Sequence, residues 1–485
     1  GPHDRREAVR ALRGAMLRRE VYGPDGGEDE GLPYVVEMKG YEVRCLQPVV
    51  GDAPRPRHRT PGSVHRVERE TRHVVYDRKA ADPRTSQQLA LDVDKYGTVT
   101  REAVVGYRKR SGGETEQQKT WIAVAETDVF HVDGGAAARR LAVPLEERLW
   151  EVTGVAPGGS TASVFSWEVL RAAYTDGGVT TLAFHETPGG GPTKRLVERV
   201  KTRYYDSADL PEPLAFGTTD ARALPYESYQ LDVTEGVLAA ADLDDDVDAG
   251  LLAEGGHVEL PGETGHWTPS GREVPEAASF YQPVAVMDPR GRSTSLTWDA
   301  EKLFVVEATD AVGNTVAADL DYRAMAIRQV TDPNGNRVEA RFDGLGRVTH
   351  LAAKGKASES LGDTLEDPTE LYEYAAERWR TDGKPAFARA LLREVHGSAN
   401  ERWQESYTYS DGAGGVAMVK QRVEAGPSPT HDEHGALVRD LEGKPEISLG
   451  VEPRWVGTGR AVLDNKGNPV KQYEPYFSDI AEYEE

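Results

Sequence analysis

Gly291, Gly313 and Gly335 stand 22 residues apart, and each follows an aspartate by three positions: Asp288, Asp310 and Asp332. A second aspartate series, Asp299, Asp321 and Asp343, keeps the same interval. Three columns run in phase with it: Thr294, Val316 and Val338; Leu296, Ala318 and Ala340; Trp298, Leu320 and Phe342. Columns two residues apart, held through three copies, predict an inward-looking strand face with Trp298, Leu320 and Phe342 as its repeat column.

The tetrads supply the turns. In "TDPNGNRVEARFDGLGRV" (331–348) two of them, Asp332–Gly335 and Asp343–Gly346, lie one short run apart, each followed by Asn or Arg. Aspartate at the first position of a type I turn caps its own backbone, and glycine at the fourth takes the left-handed conformation that closes a hairpin. Asp288, Gly291, Asp310, Gly313, Asp332, Gly335, Asp343 and Gly346 are therefore structural turn residues. Strand plus turn in about 11 residues gives a hairpin unit with strands of roughly 23 Å. A lone hairpin has unpaired edges, so successive units must add to one another. The expected fold is mainly β: a long, continuous antiparallel ribbon that curls because strands twist, with a short N-terminal helix.

Composition agrees with many turns. Glycine (50) and proline (29) make up about a sixth of the 485 residues, against a usual share of roughly 12%. With 58 basic and 81 acidic side chains the formal charge is −23, which disfavours nucleic-acid partners and anionic membrane surfaces. Cys45 is the only cysteine, so no internal disulfide or cysteine-based zinc site is available. No apolar run approaches the roughly 20 residues a membrane span needs. Gly1-Pro2 resembles the scar of tag removal, and the chain reads as a piece of a longer protein.

Val9, Leu12, Met16 and Leu17 predict a packing helix over 4–22. Strand patterns follow in "YVVEMKGYEVRCLQPVV", "HRVERETRHVVYD" and "QLALDVDKYGTVTREAVVGYRKR", the last a hairpin about the tetrad 94–97. The organisation expected is an N-terminal β-rich segment over 1–215, a connecting segment with an acidic loop over 216–285, the 22-residue repeats over 286–353, and a C-terminal β-rich segment over 354–485.

"MDPRGR" (287–292), "TDPNGNR" (331–337) and "FDGLGRV" (342–348) resemble the Rhs/YD repeat, with Phe342 where tyrosine is usual. Blocks outside the repeat narrow this: "EVYGPDG" (20–26), "YEVRCLQP" (41–48), "ADPRTSQQLALDVDKYGTV" (81–99), "EQQKTWI" (116–122), "LLAEGGHVEL" (251–260), "WTPSGR" (267–272) and "NKGNPVKQYEPYF" (465–477) are similar to the B component of bacterial insecticidal Tc toxin complexes. The resemblance implies a shell-forming part of B, without its N-terminal β-propeller. With the C component it would build a β-sheet cocoon around an unfolded toxic effector, in a secreted complex. It also implies contact with the A-component channel only through the missing propeller, no direct membrane insertion, and no cofactor.

Four patterns outside the repeat have the look of chemical sites. Asp242, Asp244, Asp246 and Asp248 have the spacing of a calcium loop, but Val247 and Ala253 stand where glycine and glutamate belong, so a solvated acidic loop is expected. His431 and His434 are three apart in a Pro/Gly/Asp-rich stretch without a third ligand. "DGAGGVA" (411–417) and "ETPGGGPTKR" (186–195) read as turns, not phosphate loops. The family's aspartyl self-cleavage belongs to the C component, and Asp82-Pro83, Asp288-Pro289, Asp332-Pro333 and Asp367-Pro368 read as turn starts. The sequence therefore predicts no catalytic, cofactor or metal residue. The alternatives are a YD-repeat adhesion or glycan-binding module and, behind it, a polysaccharide-acting enzyme.

Overall fold

The computed structural model describes residues 2–23, 26–48, 62–76, 81–109, 114–134, 139–158, 163–396, 402–412, 414–433, 435–463 and 469–484. Its N-terminus departs from the sequence reading. Helix α1 covers only Pro2–Ala11, and Arg18–Val21 is a strand, β1, paired antiparallel with β2 (Val35–Gln47). Leu17, expected on the helix's packing stripe, is exposed. Pairing with β2 satisfies the backbone of 18–21, and this tertiary gain overrides the helical spacing.

Residues 1–293 and 294–485 form two units. The first is built on an 11-stranded sheet. After β1 and β2 it runs through β3 (Ser63–Val75), β4 (Arg84–Val93), β5 (Val99–Gly106), β6 (Trp121–Asp133) and β7 (Arg139–Thr153). The short β8 (Thr180–Leu182) lies parallel to β9 (Thr193–Tyr204), and β10 (Pro225–Val233) and β11 (His266–Pro269) complete the sheet. All other pairings given for it are antiparallel. The hairpin expected at 94–97 joins β4 to β5.

One face of this sheet is covered. Leu89, Leu91, Ala103, Val105, Ile122, Val124 and Val152 alternate inward from β4 to β7 and meet Phe165, Leu170 and Tyr174. The last two lie on helix α2 (Trp167–Thr175), whose first turn is capped by Ser166 Oγ accepting from the Val169 N–H. Beyond the apolar cluster the same face carries a ladder of charges. Arg171 meets Asp92, Asp92 meets Arg101, and Arg101 reaches Glu126 at 2.9 Å. Glu126 passes to Arg148 at 3.3 Å, Arg148 to Glu146 at 2.9 Å, and Glu146 to Arg199 at 2.7 Å. Burial pulls the Glu126 and Glu146 pKa values up, but the guanidiniums beside them win and hold both below the usual glutamate value. Two short helices follow in this unit, α3 (Glu235–Ala240) and α4 (Ala249–Glu254), then the hairpin of β12 (Arg272–Glu276) and β13 (Gln282–Met287).

The second unit continues the hairpin pattern. Its strands are β14 (Ser293–Trp298), β15 (Val305–Thr309), β16 (Thr315–Asp321), β17 (Ala326–Thr331), β18 (Arg337–Phe342) and β19 (Val348–Lys354). β20 (Glu370–Ala375), α5 (Arg378–Thr381), β21 (Ala386–Arg393), β22 (Trp403–Ser410) and β23 (Val416–Val423) follow. From β14 to β23 each strand pairs antiparallel with the next, with no crossover. Two-stranded β24 (Gly426–Pro429) and β25 (Ile447–Val451) leave the sheet, which resumes with β26 (Arg454–Thr458). β27 (Ala461–Leu463) and β28 (Pro469–Gln472) form another pair, and β29 (Tyr476–Ser478) joins β26.

Candidate functional site

The repeat turns close as the aspartates and glycines dictate. Gly291, Gly313, Gly335 and Gly346 sit at φ +77°, +90°, +86° and +79°, where a Cβ would be strained. At Asp332 the Gly335 N–H donates to the aspartate's carbonyl at 2.9 Å, while Oδ1 accepts from the N–H groups of Asn334 (2.9 Å) and Asn336 (2.8 Å). Oδ2 accepts from the Asn336 side-chain amide at 3.0 Å. Asp310 repeats this with Asn314, and Asp288 and Asp343 do so with the guanidiniums of Arg292 and Arg347. Asn or Arg after the glycine is thus the second half of the cap. The Asn336 amide, then the turn N–H groups, keep the Asp332 carboxyl below its ordinary value; at Asp343 the Arg347 N–H is the largest cause.

The second aspartate series lacks glycine in its first two copies. Lys302, three residues after Asp299, and Met325, four after Asp321, take the left-handed conformation instead, at φ +58° and +52°, while Asp299 and Asp321 still accept turn N–H groups. Neighbouring hairpins are also stitched: Arg323, in one turn, donates to the carbonyls of Asp343 (2.8 Å) and Phe342 (3.3 Å) in the next.

Register places the columns. Leu296 pairs with Ala308 and Ala308 with Val316; Ala318 pairs with Val330 and Val330 with Val338; Ala340 pairs with Leu351. Cross-strand partners share a face, so Trp298, Leu320 and Phe342, each two residues along its strand, stand on one apolar face. None of these residues is fully buried. The opposite face carries Asp319, Gln329, Glu339, Arg341 and His350.

Following that polar face toward the C-terminus, His350 pairs with Leu371, Leu371 with Leu391, and Leu391 with Glu405. Here the face becomes covered. Tyr409, Met418, Lys420 and Trp455 are buried on it, under the segment that follows β29. Tyr409 Oη donates to the Ala481 carbonyl at 2.8 Å, and Arg378 reaches Glu482 at 2.9 Å. Lys420, wholly enclosed, pairs with Glu484 and donates to the Ile480 carbonyl at 3.3 Å. Burial lowers its pKa, and the nearby carboxylates oppose the shift. His431 lies between Asp479 and Glu484. Beside this cluster opens a groove of about 1220 Å³ whose walls include Pro429, Leu437, Ile447, Phe477 and Ile480.

The sequence missed Lys420 and its partners. The signal was a lysine in phase with Val416 and Met418 on one strand face, followed there by Arg422. The aromatic pairs Tyr372/Tyr374 and Tyr407/Tyr409 each share a face, and the register sets them on opposite ones: Tyr372 pairs with Ala390, whereas Tyr409 pairs with Phe387.

The acidic run does not converge. Asp248 caps α4, its Oδ1 accepting from the Leu251 N–H at 2.8 Å. Asp288-Pro289 and Asp332-Pro333 open turns, and within "DGAGGVA" Asp411 Oδ1 accepts from the Gly415 N–H at 2.7 Å ahead of β23. His434 and the tetrad 464–467 lie outside the described residues. Among the described residues no three His, Cys, Asp or Glu side chains are grouped to hold a metal, and no helix is long and apolar enough to cross a membrane.

A bare antiparallel repeat sheet with self-capped turns, one apolar face and carboxylates committed to backbone caps defines a β-repeat fold. The comparisons make it particular. Residues 7–135 match the family described as the insecticide toxin TcdB middle/C-terminal region. Over its whole length the chain superposes on the crystal structure of TcdB2-TccC3, with TM-score 0.78 and 24% identity, covering 24% of that chain. The same complex without its hypervariable C-terminal region gives 0.76 at 22% identity, with all of this chain and 26% of that one covered. A Photorhabdus luminescens Tc holotoxin pore gives 0.76 at 21%, with 99% and 26% covered. No curated protein matches the sequence. The resemblance read from the sequence therefore holds: residues 7–135 carry the TcdB middle/C-terminal pattern, and the whole chain has the fold of these Tc toxin structures, spanning about a quarter of the solved chains.

Proposed function

We propose that this chain is shell-forming sheet of a Tc toxin B component, which with a C component encloses an unfolded effector in a secreted complex, and that it works without catalysis of its own. The observation that carries the reading is the asymmetry of the repeat sheet. Its apolar face, through Trp298, Leu320 and Phe342, lies open, while the other face is polar and, near Tyr409 and Lys420, covered by the chain's own later residues. An apolar open face suits the inside of a container, where an unfolded chain exposes apolar surface that would otherwise aggregate or meet proteases. The other face, polar along the repeats and covered farther on, suits the outside.

The test is protease protection. The complete B protein, co-produced with its C component, should leave the effector intact under added protease until the shell is opened by denaturant. Digestion of the effector at the same rate with and without B would overturn the proposal.

A further inference from the structure

We propose that β25 is a strand-addition site: it takes an extended segment of a partner chain with apolar residues at alternate positions. β25 (Ile447–Val451) pairs on one side with β24, and no strand of the described residues lies on its other side. Two strands alone are marginal in water, and a third is the usual completion. The Thr430 N–H donates to the Glu446 carbonyl at 3.0 Å, so strand alternation turns the N–H and C=O of Ile447 away from β24. Its partner there, Pro429, has no N–H to offer. An unused donor and acceptor therefore face outward.

Edges are ordinarily protected by charge or proline. β1 carries Arg18, Arg19 and Glu20, and β28 carries Pro469 and Lys471. β25, Ile-Ser-Leu-Gly-Val, has neither over five residues, whereas the uncharged β27 and β29 are three residues long. Its apolar side chains also stand out: Ile447 is 51% and Leu449 79% exposed. Backbone chemistry of this kind selects a strand. The groove beside it, walled by Ile447, Pro429, Leu437 and Phe477, gives alternate side chains of the incoming segment an apolar seat, which is how added strands acquire specificity.

The probe is a labelled ten-residue peptide of alternating valine and threonine with lysine ends, added to the full chain. Its control is the same peptide N-methylated at alternate residues, which keeps charge and side chains but removes backbone donors. The expected result is saturable binding at least tenfold tighter than the control, with amide exchange around 446–451 slowed at least tenfold. Leu449→Lys, an exposed change that leaves the melting temperature in place, should weaken binding at least tenfold. Equal affinity for both peptides, no binding, or protection elsewhere in the chain would overturn the proposal. So would a concentration-dependent dimer dissolved by Leu449→Lys, because it assigns the edge to a second copy.

Discussion

From β1 to β7 in the first sheet and from β14 to β19 in the repeat sheet each strand pairs antiparallel with the next, yet the two are held in different ways. Between β4 and β7 the first sheet has a second layer: α2 and the segment before it bury Leu89, Val105, Val124 and Leu170. Between β14 and β19 no such layer of the described residues covers the apolar face of the second, which stays open. There, order comes from the ends of the strands. Each turn sets an aspartate against two backbone N–H groups, those at Asp310, Asp332 and Asp343 place a glycine at the left-handed residue, and Arg323 ties one turn to the next. A covered sheet can tolerate ordinary turns because its core fixes the register. A bare one must fix its register at the edges.

The largest expected effect separates the two directly. Leu170→Ala, in the covered layer, should cost about 3–4 kcal/mol, as for other enclosed leucines. Leu320→Ala, on the open face, should cost about 1 kcal/mol or less, since little apolar area is lost. Urea unfolding of each variant, with local stability followed by hydrogen exchange, measures both; equal losses would break the comparison.

Next come the turns. Gly335→Ala should destabilise the repeat sheet by about 1–2 kcal/mol, because alanine is forced to a positive φ. Faster amide exchange in β17 and β18 would report it, with the first sheet unchanged. Lys302→Gly should act in the opposite sense and raise stability by about 0.5–1 kcal/mol, relief of the left-handed lysine exceeding the added freedom of the unfolded chain. A loss on this change would mean that the Lys302 side chain matters more than its backbone.

The smallest effect vanishes at neutral pH. Asp288, Asp310, Asp332 and Asp343 titrate below their ordinary value of 3.8 in the fold. Their caps therefore stabilise fully above that value and are lost as pH falls through the lower folded values. Hydrogen exchange at pH 5 and at pH 3 should show the repeat turns loosening in acid, and Asp332→Asn should flatten that dependence at its own turn.

Much of the repeat sheet was legible because its rules are local: a turn needs its own Asp and Gly, and a strand its own alternation. The columns at Trp298, Leu320 and Phe342 needed no knowledge of distant residues. The same local rule failed at 12–21, where helical spacing lost to pairing with β2. It also gave no hint that Lys302 and Met325 would take the left-handed position, since neither residue type favours it. The cover over Lys420 was out of reach for a different reason. It is made by residues some sixty positions later, Ile480 and Glu484, and no periodicity links the two. The opposite facing of the tyrosine pairs required the pairing register across β20 to β22, which local spacing within each strand does not set.

The turn chemistry has an evolutionary corollary. Because each hairpin closes its loops with residues it brings itself, a duplicated or deleted 22-residue stretch leaves its neighbours' bonding rules intact. Such a sheet can lengthen or shorten by whole units through simple genetic events, so the size of a vessel built this way is open to selection without redesign of its wall.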